Sequence, residues 1–330
     1  MKTETISSLV EVVERAAIAC ARTRGHGDRH GSDRVAVESM RSTLDSVPID
    51  GRVVIGEGER DEAPMLFIGE AVGTAHAAGA DPSGSLPQVD IAVDPLEGTN
   101  LCATGSPNAI AVLAASERGG LLHAPDLYME KLVVGPSSKH AVSLDSSVSS
   151  NLRAIAKCLD LAIEDLTVVV LDRQRHEKLI ADVRDVGARI QLIGDGDLSA
   201  AISASVKGSG VHAVMGIGGA PEGVLAAAAL RCLGGEIYAR LVVDTPEKEK
   251  RCRKMGIDDM KRVYRAADLA GGRQMVFAAT GVTDGVLMKG VRFLGNNVRT
   301  SSLVMQVDPQ RIRFIETHHR SDGADGEVEL

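Results

Sequence analysis

The chain has 330 residues, 44% of them hydrophobic and 25% charged, which is enough for two packed lobes and excludes a collagen-like, low-complexity or repeat polypeptide. With 45 acidic against 37 basic residues the net charge is -8, only 2% are aromatic and there is no Trp; no nucleic acid or membrane partner is expected from such a balance. The five cysteines, Cys20, Cys102, Cys158, Cys232 and Cys252, form no CxxC pair and read as reduced thiols. The N-terminus has no basic segment followed by an apolar one, and no run approaches the ~20 apolar residues that span a bilayer, so a cytoplasmic location is expected.

Apolar spacing predicts a first helix over 6–22, stopped at Gly25. After the loop GHGDRHGSD, Asp33 is expected to cap a second helix that ends before Pro48. A short strand over 52–55 runs into Gly56-Glu57-Gly58-Glu59-Arg60-Asp61-Glu62, and a polar loop is expected over 79–87. The next strand, 89–93, ends in Asp94-Pro95-Leu96-Glu97-Gly98-Thr99. Further strands are read over 109–114 and 131–134, and the Ser-rich stretch 136–150 reads as a linker. This places one lobe at 1–148 and a second at 149–330. The second alternates: strands over 167–171, 189–193 and 211–215, helices over 176–186 and 221–233. Residues 246–270 read as solvated helices of alternating charge. Strand-like runs return over 275–279, 302–307 and 312–315, before a polar, frayed end.

DPLEGT, residues 94–99, sets two carboxylates three residues apart on what reads as a strand-to-helix turn. Hard divalent cations seek several oxygen ligands, and unpaired N-H groups at a helix start favour phosphate, so one segment can serve both. An exposed, capping acidic turn is the plainer alternative. Asp33, Glu57, Glu59, Asp61 and Glu62 shift the balance, because so many acids at one strand end repel each other unless cations neutralise them. GIGGAPEG, residues 216–223, follows a strand and opens a helix but does not fit a nucleotide loop: Pro221 stands where GxGxxG needs its third Gly. Pro221 at a helix start instead projects Glu222 towards the ligand side. His30, His76, His123, His176 and His212 lack metal-ligand spacing and read as structural or solvated.

DPLEGT resembles the signature of the lithium-sensitive phosphatase superfamily. Together with GDRHGSD, VVIGEGERDEAPML, DIAVDPLEGTNL, LLHAPDLYMEKL, IGDGD, GGAPEGVLAAAALRCLGG and ATGVTDG, it is similar to class II fructose-1,6-bisphosphatases over residues 1–318. The resemblance implies a layered α/β/α/β/α sandwich with the active site between two lobes, whereas composition and periodicity alone give mixed α/β. It also implies two or three Mn2+ or Mg2+ ions held by Asp33, Glu57, Asp94, Glu97 and Glu222. Substrate contacts are implied for Glu97, Gly98, Thr99, Tyr128, Arg173, Gln174, Arg175, Asp195, Gly196, Asp197 and Gly219, and a homodimer or homotetramer for the assembly. Forked guanidinium donors suit a phosphate that is kept, and carboxylates suit sugar hydroxyls.

Asp61 and Thr99 are the candidates to orient or deprotonate the attacking water. Arg29 stands where the family commonly has lysine and is the candidate to hold the scissile phosphate. The expected reaction is hydrolysis of the 1-phosphate of fructose 1,6-bisphosphate, a gluconeogenic step. Asn100-Leu101-Cys102 is similar to the branch that also takes sedoheptulose 1,7-bisphosphate, while Ser106-Pro107-Asn108 is similar to single-substrate members, so breadth stays open. An inositol monophosphatase-like enzyme and a non-catalytic sugar-phosphate sensor are the other readings.

Overall fold

The computed structural model describes residues 1–58, 64–77 and 86–320; Glu59, Asp61, Glu62, most of the loop read over 79–87 and the polar end lie outside them. The strands, in chain order, are β1 (Asp50–Ile55), β2 (Ala71–Val72), β3 (Gln88–Glu97), β4 (Ile110–Glu117), β5 (Tyr128–Val134), β6 (Thr167–Leu171) and β7 (Arg189–Ile193), followed by β8 (Ala213–Gly219), β9 (Glu236–Leu241), β10 (Tyr264–Arg265), β11 (Val276–Gly281), β12 (Arg292–Leu294), β13 (Asn297–Gln306) and β14 (Arg311–Arg320). The α-helices are α1 (Thr3–Ala21), α2 (Arg29–Leu44), α3 (Thr99–Thr104), α4 (Val148–Leu159), α5 (Glu177–Val186), α6 (Asp197–Ala204), α7 (Ala220–Leu233), α8 (Pro246–Lys254) and α9 (Ala266–Leu269).

Two mixed sheets result. The first runs β12-β13-β11-β4-β3-β1-β2 with β14 on β13, and the second runs β10-β9-β5-β8-β6-β7. Side chains alternate across a strand, and here the alternation sorts them into separate cores. Ile91, Val93, Leu113 and Ala278 face α1 and α2, while Ala92, Val112, Ala114 and Phe277 face the interior between the sheets. In the second sheet Met129, Val133, Val169 and Val214 face that same interior, whereas Leu132, Val134, Val168 and Val170 face α4 and α5. Helices α6, α7 and α9 fill the space between the sheets. The layers are therefore α/β/α/β/α.

The strands over 167–171 and 189–193 and the helix over 221–233 form close to where the pattern places them. The second helix differs. It starts at Arg29, capped by Asp28, whose side chain accepts from Gly31 N at 2.9 Å, so Asp33 lies inside the helix rather than at its cap. The Ser-rich stretch read as a linker closes on α4, because Ser147 caps that helix by accepting from Ser150 N. The sheets do not divide the chain at residue 148: β5 belongs to the second sheet, and β11 to β14 return to the first.

That return ties the two ends of the described chain together. Glu14 of α1 is buried, and its Oε1 accepts from Thr300 Oγ1 (3.1 Å), Ser302 Oγ (3.2 Å) and Thr317 Oγ1 (2.7 Å), three hydroxyls of β13 and β14. A buried carboxylate needs such donors in place of water.

Phe277 is fully buried between the sheets. Phe277→Ala should lower unfolding free energy by about 3–5 kcal/mol through lost transfer energy plus a residual cavity, measured by urea denaturation; a loss below ~1 kcal/mol would mean that the layer repacks.

Candidate active site

Strand ends and helix starts deliver acids to one open cleft of ≈ 270 Å³, whose walls include Asp33, Glu57, Asp94, Glu97, Gly98, Thr99, Asp126, Asp195 and Glu222. DPLEGT is not the turn expected from its sequence. Strand β3 continues to Glu97, and its register with β4 slips between Asp94 and Glu97. Pro95, which has no N-H to give a ladder, sits in that irregularity. The chain then reverses at Gly98, whose φ of 83° is left-handed, and α3 begins at Thr99. Glu57 follows β1, Asp33 sits in the second turn of α2, and Glu222 lies in the first turn of α7, where Pro221 is tolerated for want of a needed N-H.

The acids crowd one another. Asp94, Glu97 and Glu222 each offer an oxygen within 4.8 Å of the others. Burial first, and then the charges of Asp94, Asp33 and Glu222, push Glu57 up to about 8. Burial and Glu222 push Asp94 up to about 7, while Glu97, only 5% exposed, is raised well above the ordinary carboxylate value by burial and then by Asp94. Burial also raises Glu222, against the pull of Lys131, and raises Asp33, against His30. Only part of this charge is answered by hydrogen bonds: Asp94 Oδ1 accepts from Leu96 N at 3.1 Å, and Glu97 Oε1 from Leu198 N at 3.1 Å. Glu222 Oε2 is buried and accepts no hydrogen bond from the described residues. An all-oxygen set with an orphaned buried carboxylate oxygen fits a hard divalent cation.

Beside this cleft, Arg29, His30, Asp33, Thr99, Asn100 and Asp195 surround a second hollow. Asp195 Oδ2 accepts from Asn100 Nδ2 at 3.1 Å, and Asp197 Oδ2 from Lys131 Nζ at 2.9 Å. Tyr128, Arg173, Gln174, Arg175, Gly196, Asp197 and Gly219 do not line the cleft. Tyr128 and Gly219 are cross-strand partners on β5 and β8. The Arg175 guanidinium stacks 4.6 Å from the Tyr128 ring centroid and donates to Ile217 O, while Arg173 Nη2 donates to Gly194 O at 2.7 Å. Carbonyls thus hold both arginines in place.

Two residues of the site escaped the sequence reading. Asp126 carries no pattern that separates it from a loop acid. Lys131 does carry a signal, a lone ammonium at an inward position of the apolar strand that also contributes Met129 and Val133. Two histidines are structural as expected: His176 Nε2 accepts from Ile217 N at 2.7 Å, and His212 Nδ1 from Thr167 N at 2.9 Å.

A five-layer sandwich that gathers repelling carboxylates at strand ends defines a metal-dependent phosphatase. The family model described as bacterial fructose-1,6-bisphosphatase, glpX-encoded, matches residues 3–319, and the chain belongs to that family. It is 52% identical to the D-fructose 1,6-bisphosphatase class 2/sedoheptulose 1,7-bisphosphatase of Synechococcus elongatus (strain ATCC 33912 / PCC 7942 / FACHB-805), over 95% of each chain. Proteins of the same description from Synechococcus sp. (strain JA-3-3Ab) and Thermosynechococcus vestitus are 51% and 50% identical, the alignments covering 96% and 95% of this chain and 95% of each relative. Among the described residues no helix is long and apolar enough to cross a membrane.

The raised carboxyls set a pH dependence. Such a group binds more protons folded than unfolded, so without cations its contribution to stability is full below the ordinary value of 4.5 and is lost as pH rises towards about 8 for Glu57. The Tm of the metal-free chain should therefore fall between pH 5 and 8, and Mn2+ added at pH 7 should release protons, measured by calorimetry in buffers of different ionisation heat. Binding without proton release would show that the acids are already ionised.

Proposed function

We propose that this chain hydrolyses the 1-phosphate of fructose 1,6-bisphosphate to fructose 6-phosphate and inorganic phosphate, in the cytoplasm and as a homodimer or homotetramer. The observation that carries the reading is the meeting of Asp94, Glu97 and the unpartnered Glu222 oxygen in one cleft with Asp33 and Glu57. Two or three Mg2+ or Mn2+ ions held by these five carboxylates would supply positive charge to the phosphate and acidify a water. Gly98, Thr99 and Arg29 are assigned to the scissile phosphate. Thr99 Oγ1 donates to Leu96 O at 3.1 Å in the free protein, and with Asp61, which lies outside the described residues, it is assigned to orienting the water. Tyr128, Arg173, Gln174, Arg175 and Gly219 are assigned to the retained phosphate, and Asp195, Gly196 and Asp197 to sugar hydroxyls.

Sedoheptulose 1,7-bisphosphate is the second reading. It is favoured by Asn100-Leu101-Cys102 and by the description that the similar cyanobacterial proteins carry. Phosphate release from both bisphosphates, fructose 1-phosphate and inositol 1-phosphate, with Mn2+, Mg2+ or EDTA, tests the assignment. Turnover of bisphosphates that EDTA abolishes is expected, and turnover of the monophosphates at a comparable rate would overturn it. Asp61→Asn should keep Mn2+ affinity and lower kcat by about 10²-fold or more; an unchanged kcat would remove Asp61 from the mechanism.

A further inference from the structure

Lys131 is the only lysine or arginine among the described residues that is buried, at 5% exposure. It points from the middle of β5 into the interior that Met129 and Val133 share. Burial works against its charge, but Asp197, Glu222 and Glu97 together outweigh that penalty and hold it protonated. One fixed ammonium thus pairs with Asp197 of α6 and acts through its charge on the orphaned carboxylate of α7.

The backbone around it leaves it room. A Cβ on Gly218 of β8 would overlap the Asp197 carboxylate and come within 3.0 Å of Lys131 Nζ, and one on Gly223 of α7 would lie 3.6 Å from Lys131 Cε. Gly218 of GIGGAPEG thereby clears the path of the ion pair, whereas Gly223 makes room for Met129 Sδ, which a Cβ there would meet at 2.8 Å.

We infer that Lys131 takes the place of a metal ion behind the cleft wall, on the side of Asp197: it pairs with Asp197 and repels divalent cations, confining them to Asp94, Glu97 and Glu222. Asp197 and Glu222 are close enough for each charge to act on the other. Without the Lys131 ammonium beside them they would offer a hard cation further oxygen ligands. A carboxylate captured by a divalent ion loses acceptor capacity, whereas one paired with a single lysine donor keeps lone pairs for a sugar hydroxyl. The sugar half of this inference rests on the bisphosphatase reading above; the metal half does not.

The test compares Lys131→Met, which keeps most of the apolar stem and removes the charge, with the native chain. Bound Mn2+ per chain is counted by elemental analysis after equilibrium dialysis, and KM and kcat are measured with fructose 1,6-bisphosphate. Lys131→Met should bind one more Mn2+ per chain and raise KM about tenfold or more with a smaller change in kcat, and Lys131→Met/Asp197→Asn should return the Mn2+ count to the native value. A Mn2+ count and KM equal to those of the native chain would overturn the inference, as would a lower Tm with no change in either.

If Lys131→Met does not fold, Gly218→Ala decides. It keeps the ammonium but displaces its partner, and should raise KM about tenfold at the native Mn2+ count; an unchanged KM would overturn the inference. A native chain without phosphatase activity would refute the bisphosphatase reading instead, and the Mn2+ counts would still decide the metal half.

Discussion

Mutual repulsion among buried carboxylates lining one cleft is the constraint around which this molecule is arranged. No single segment could hold such a group of acids, because neighbours on one element would turn apart or protonate. The fold brings them from separate elements instead: α2, the ends of β1 and β3, and the start of α7. Each is anchored by its own hydrogen-bonded framework, so the energy of crowding is borne by the packing of the layers. The break in register between Asp94 and Glu97 is one expression of this, since an uninterrupted ladder would alternate side chains by strict parity and send these two residues to opposite faces.

Helix α7 shows how packing and chemistry share one element. Its sequence, APEGVLAAAALRCL, is buried on nearly every side, as a helix enclosed by two sheets must be. The run of four alanines keeps it thin where β-sheets lie on both sides. Its N-terminal end opens to the cleft through Pro221, Glu222 and Leu225, and there Glu222 enters the site. A bulkier helix would push the sheets apart and move Glu222 away from Asp94 and Glu97, which belong to the first sheet.

Much of this was legible in the sequence, for identifiable reasons. Strand β6 is a short apolar run and helix α7 a long one opened by Pro221 and closed by Gly234, limits that a sequence shows, and the acids after β1 and β3 announced themselves by density. Helix α4 was hidden because a capping serine and a loop serine look alike without coordinates. Asp28 and Asp33 compete for the same capping role five residues apart, and only the backbone geometry decides for Asp28. The division into lobes by chain order overlooked that pairing partners need not be neighbours in sequence: β5 joins a sheet assembled otherwise from the second half, and β11 to β14 complete the sheet that β1 to β4 begin. Lys131 went unread because a lone lysine inside an apolar strand gains meaning only when Asp197, distant in sequence, is placed against it.

The contact between Glu14 and the hydroxyls of Thr300, Ser302 and Thr317 spans nearly the whole described chain, with sequence separations of 286 to 303 residues. During synthesis, the first helix leaves the ribosome long before the strands that supply those donors. Until β13 and β14 emerge, Glu14 lacks these three donors, so burying it early would leave its carboxylate without them. The first sheet is therefore completed only after β13 and β14 have followed β11 out of the ribosome. A nascent chain truncated before residue 297 would leave Glu14 without its donors and β11 with an open edge, a state suited to capture by chaperones.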